Sequence, residues 1–100
     1  MAEKKRETKT MIEAGFISKL GETLKELDDT TRNALAVEAK IRPLTINEIV
    51  NGEVKQINLR TLGDIIETLN RIAHEKGIQK KYNVTDIFEY YYKNKEDSQD

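Results

Sequence analysis

Apolar residues recur at the three- and four-residue spacing of a helix face in several stretches. Phe16, Ile17, Leu20, Leu24 and Leu27 predict a first core helix over 16–27, weakened internally by Gly21. Asp28-Asp29-Thr30-Thr31 breaks that pattern and offers Thr30 or Thr31 as the hydroxyl cap of the next helix. Leu35, Ala36 and Ala39 give that second helix its apolar stripe, and Ile41 follows as a buried plug. Pro43 opens a third helix, since a first helical position needs no N–H. Ile46, Ile49 and Val50 form its inner face, and Asn51-Gly52 stops it. Leu59, Leu62, Ile65, Ile66, Leu69, Ile72 and Ala73 then define a long helix that begins at an Asn58 cap and ends near Gly77. Asn83-Val84-Thr85-Asp86 has the spacing of a capping box. It predicts a last short helix with Ile87, Phe88 and Tyr91 facing inward.

The flanks lack such periodicity. Residues 1–15 are expected to form a flexible or frayed arm, either a solvated tail or one that touches phosphate through Lys4, Lys5 and Arg6. Residues 93–100 are expected to be a disordered polar tail. No β-strand pattern is evident, because the weak alternation from Val54 to Leu59 is too short. The expectation is one all-α domain of five helices over 16–92.

Composition narrows this picture. One hundred residues, 37% hydrophobic and 35% charged, can bury one modest core. The absence of cysteine excludes a disulfide framework and any cysteine-bound metal within these residues. No apolar run approaches the ~20 residues that span a bilayer, and the N-terminus lacks the apolar core of a signal peptide. A cytoplasmic location is expected. The net charge of −1 argues mildly against nucleic acid as a partner, yet Thr31 to Arg60 carries five basic and three acidic residues.

Catalytic chemistry finds little support. His74, the single histidine, stands beside Glu75 at a helix end, where an imidazole meets the negative end of the helix dipole. Gly52, Gly63 and Gly77 are too isolated for a phosphate loop. Adjacent Asp28-Asp29 and Glu96-Asp97 cannot face each other as an acid–base pair. The expectation is a protein that is not an enzyme and has no cofactor and no metal.

The segment Thr31-Arg32-Asn33-Ala34-Leu35-Ala36, with Ile41, Thr45-Ile46-Asn47 and Asn51-Gly52, resembles the helix-turn-helix of the lambda-repressor-like (Cro/repressor, XRE-type) DNA-binding family. Ile57 to Leu62 resembles the start of that family's next helix, and Val84 to Phe88 its last short helix. The resemblance covers roughly Phe16 to Tyr91. Lys40 stands where the family has a turn glycine, and Arg32 where it has glutamine.

The resemblance implies a compact five-helix fold and a transcriptional regulator, a repressor, that binds double-stranded DNA. The helix from Pro43 to Val50 would enter the major groove. Arg42, Leu44, Thr45, Asn47 and Glu48 would then face base edges: Arg42 suits guanine, Asn47 adenine, Glu48 cytosine and Leu44 a thymine methyl. Thr31, Arg32, Lys40, Lys55, Gln56, Asn58 and Arg60 would hold phosphates. A homodimer is expected, with Tyr82, Tyr90, Tyr91 and Tyr92 as its surface. The alternative is a protein–protein adaptor, antirepressor-like or antitoxin-like, that keeps the fold without DNA.

Overall fold

The computed structural model describes residues 10–91. In chain order these form strand β1 (Phe16–Ser18), helices α1 (Leu20–Glu26), α2 (Arg32–Ala39), α3 (Pro43–Asn51) and α4 (Leu59–Glu75), a 3-10 turn (Val84–Asp86) and strand β2 (Phe88–Tyr90). The fold is mostly helical, with a small antiparallel sheet of β1 and β2, rather than the expected five helices.

Local signals account for the helix ends. The Thr31 hydroxyl accepts from Ala34 N–H at 2.9 Å and starts α2, while Thr30 donates to the Leu27 carbonyl instead. Pro43 occupies the first turn of α3. Asn58 accepts from Thr61 N–H at 2.8 Å and starts α4. Gly52 closes α3 at φ 77°, and a β-carbon there would come within 2.6 Å of Ile12 Cδ1. The positive φ is what disfavours other residues here, since the exposed Ile12 side chain could move aside for a β-carbon.

Lys40 ends α2 in the left-handed conformation, φ 59° and ψ 45°. The position demands what a glycine supplies freely, and lysine adopts it at a cost of roughly 1 kcal/mol. Lys40→Gly should therefore raise unfolding stability by about 0.5–1 kcal/mol in urea melts. A loss of stability would refute this account of the turn.

One core gathers Leu20, Leu24, Leu27, Leu35, Ile46, Ile49, Ile65, Leu69 and Ile87, and α2 packs on both α3 and α4. Met11 joins this core, and its N–H donates to the Val54 carbonyl at 2.8 Å. From Thr10 onward the chain is thus part of the fold, so the expected arm does not extend to residue 15. Lys4, Lys5 and Arg6, like the polar tail, lie outside the described residues.

Both ends of the expected helical pattern need correction. Phe16 and Ile17 belong to β1, not to the first helix, and are exposed. Ser18 pairs with Phe88, Ile17 with Glu89 and Phe16 with Tyr90. The Asn83–Asp86 capping box forms as the spacing predicts, but it starts only the short 3-10 turn. The chain after Ile87 extends into β2, leaving Tyr91 exposed rather than packed inside. The helix gives way because the β1 backbone is there to pair with. Leu59, expected in the stripe of α4, is 82% exposed at the first turn, beyond the reach of the core.

Candidate nucleic-acid interface

The chain between α2 and α3 is three residues long: Lys40, Ile41 and Arg42. Left-handed Lys40 reverses the direction, and Ile41 N–H returns to the Ala36 carbonyl at 2.9 Å. Ile41 packs partly against the core, as its position predicts. Ile46 and Ile49, both fully buried, hold one side of α3 down. The other side is left to Arg42, which is exposed, and Leu44, which is 63% exposed. Thr45, Asn47 and Glu48 are half-buried at its margins.

Asn47 is already engaged. Its Oδ1 accepts from an Arg32 guanidinium N–H at 3.1 Å, a bond from the start of α2 to the middle of α3. Arg32 was expected at phosphate alone. Here it also fixes the orientation of the Asn47 amide, leaving that residue's Nδ2 free of this bond. No spacing rule signals the contact, because it joins exposed positions on two helices.

The expected phosphate residues divide among three places. Lys40, Asn58 and Arg60 line a cleft of about 700 Å³ together with Arg42 and Thr45. Thr31 and Arg32 border a second cleft, of about 440 Å³, on the α1 side. Lys55 and Gln56 lie by a smaller apolar groove beside Met11, Phe16 and Phe88. Asn58 spends its side-chain oxygen on Thr61 N–H.

The first cleft has a wall that sequence reasoning missed. Asp64, Glu67 and Arg71 of α4 face it, beside Glu38 of α2. Arg71 donates to Glu38 Oε1 at 2.9 Å and to the Glu38 carbonyl at 3.2 Å, tying α4 to the end of α2. That bond holds the guanidinium pKa above its ordinary value. The cleft so combines Lys40, Arg42, Arg60 and Arg71 with Glu38, Asp64 and Glu67. Its charge is closer to balance than the segment from Thr31 to Arg60 suggests, because Asp64 and Glu67 lie beyond that segment.

Of the expected dimer tyrosines, Tyr82 is a correction. It is 4% exposed and belongs to the core. Its hydroxyl donates to Glu26 at 3.3 Å, and its backbone is clasped by Asn70. Lys80 sits over its ring at 4.9 Å and donates to Glu26, which holds the Glu26 carboxyl below its ordinary pKa. Tyr90 and Tyr91 are more than half exposed, and Tyr92 lies outside the described residues. His74 is exposed in the last turn of α4. Among the described residues no group of three or more His, Asp or Glu side chains could hold a metal ion. No helix among them is long and apolar enough to cross a membrane. No protein-family model, curated protein or solved structure matches this chain.

Proposed function

We propose that this protein binds double-stranded DNA and acts as a transcriptional repressor of the lambda-repressor-like type, with α3 in the major groove. The observation that carries the proposal is the pairing of α2 and α3 about a left-handed three-residue turn, with Ile46 and Ile49 buried and Arg42 and Leu44 exposed on α3. A helix so anchored presents its N-terminal end to base edges. Arg42 is the leading base reader, since a guanidinium forks onto guanine O6 and N7. Asn47, steadied by Arg32, reads adenine, while Leu44, Thr45 and Glu48 complete the set. Lys40 and Arg60, across the cleft from each other's helices, hold phosphate together with the N-terminus of α4.

Two substitutions separate these roles. Arg42→Ala should cost about 1–3 kcal/mol on the preferred duplex and far less on random duplex. Arg60→Ala should weaken all duplexes alike and lower the salt slope of binding by about 1. Titrations of both duplexes at several salt concentrations read both effects. Equal losses from Arg42→Ala on either duplex would remove its base-reading role, and an unchanged slope would remove Arg60 from the phosphate set.

The adaptor reading has an observation of its own. Val37, Leu44 and Leu59 are each more than 60% exposed, and the cleft carries Glu38, Asp64 and Glu67. Exposed apolar side chains and a cleft of mixed charge both suit a protein partner. Absence of any shift of random duplex at low salt would favour that reading over DNA.

A further inference from the structure

The apolar groove of about 180 Å³ beside the small sheet has no part in the proposed function. Phe16 of β1 and Phe88 of β2 line it, with Met11 and Ala14 from the turn before β1. Residues 54–57, between α3 and α4, complete the lining. Two backbone bonds hold these parts together. Met11 N–H donates to the Val54 carbonyl at 2.8 Å, and Phe16 N–H to the Met11 carbonyl at 2.9 Å. Met11 is 6% exposed and belongs to the core, whereas Phe16 is 40% exposed and still has apolar surface to cover. The groove is therefore pre-formed, as small-molecule sites usually are.

Its charge is one-sided. No acidic residue lines the groove, whereas Glu38, Asp64 and Glu67 line the cleft beside Arg42. Lys55 is exposed and makes no ion pair among the described residues. The backbone N–H groups of Lys55, Gln56 and Ile57 donate no hydrogen bond among those residues either. An apolar hollow joined to an ammonium and unspent N–H donors matches a ligand with an apolar body and an anionic end.

We infer that this groove binds a small aromatic carboxylate, with its ring against Phe16, Phe88 and Met11 and its carboxylate on Lys55. Volume sets the size. An apolar cavity of ~150 Å³ takes a benzene-sized guest, so the groove holds one ring and a short tail. Two phenyl rings and a thioether favour an aromatic body over an aliphatic one. An aromatic amine would meet Lys55 as a like charge, and inorganic phosphate would leave the apolar lining uncovered. No residue of α3 lines the groove, so the inference needs no DNA and does not fall with the proposed function.

Amide NMR titration of the full chain with phenylacetate, without DNA, tests the site. Saturable binding with a dissociation constant of about 1 mM or tighter is expected for a ligand of this size. The shifts should centre on Met11, residues 54–57 and Phe88. No saturation by about 20 mM, or shifts centred elsewhere, would overturn the inference. Benzyl alcohol and benzylamine, which keep the ring and lose the anion, should bind about tenfold more weakly or worse. Equal binding of all three would overturn the carboxylate assignment. Lys55→Gln changes an exposed side chain, so it should leave the melt unmoved and weaken phenylacetate about fivefold or more, with benzyl alcohol unaffected. Undiminished phenylacetate binding would remove Lys55 from the site. Ala14 is also exposed, so Ala14→Leu should fold and fill the groove, abolishing saturable binding of phenylacetate and benzyl alcohol alike. A folded Ala14→Leu that binds as the parent does would overturn the inference.

Discussion

Replacing Asn70 by leucine should destabilise the domain by about 2–4 kcal/mol, because two backbone groups lose their partners together. Asn70 lies half-buried on α4 and acts as a strand would towards the segment after Gly77. Its Oδ1 accepts from Tyr82 N–H at 2.7 Å, and its Nδ2 donates to the Tyr82 carbonyl at 3.0 Å. The same Nδ2 lies 3.0 Å from the Ile66 carbonyl, one turn back along α4. Leucine keeps the branched heavy-atom skeleton, leaves no cavity and has a better helix propensity, so the loss reflects the missing hydrogen bonds rather than a void. Asn70→Asp keeps an acceptor for the N–H but turns a carboxylate oxygen on the carbonyl, and should be no better than leucine at neutral pH. Urea melts with an unchanged slope read the difference directly. A loss under about 0.5 kcal/mol would mean that water replaces the amide, and the clasp would then not be what holds Tyr82 inside.

Ile46→Ala should cost about 2–5 kcal/mol, the usual range for a fully buried isoleucine whose cavity only partly collapses. The consequence reaches the candidate interface, since Ile46 and Ile49 are the side chains that seat α3. In a domain of this size each kcal/mol moves the melting temperature by about 4–8 °C, so a fall of about 10 °C or more is expected. Arg42→Ala, by contrast, should leave the melt within about 0.5 kcal/mol of the parent, because its side chain is exposed. The pair distinguishes a residue that supports the rod from one that uses it. A melt unmoved by Ile46→Ala would mean that α3 is not held by its apolar face.

The middle of the chain was legible because its information is local. Periodicity located α2, α3 and α4 to within a residue or two, and the caps Thr31 and Asn58 and the stop Gly52 act within one turn of where they stand. The strain at Lys40 was suggested by the resemblance, which places a glycine at that turn, and Lys40 indeed adopts the left-handed conformation. Legibility failed where a residue's state depends on a remote partner. Tyr82 has no periodicity and reads as a surface aromatic; Asn70, twelve positions earlier, takes it inside. Asp64, Glu67 and Arg71 read as the solvent side of an amphipathic helix, and only the packing of α4 against α2 turns them towards Arg42.

The amino-acid pattern alone determined the three central helices, the turn that joins α2 to α3, and which side of α3 is apolar, because hydrophobic spacing and capping act over a few residues. Folding in three dimensions decided the rest: the ribbon of Phe16–Ser18 with Phe88–Tyr90, the apolar groove beside it and the mixed charge of the cleft. Those depend on contacts between segments dozens of residues apart, and strands of three residues carry too little pattern to announce the partner they will meet.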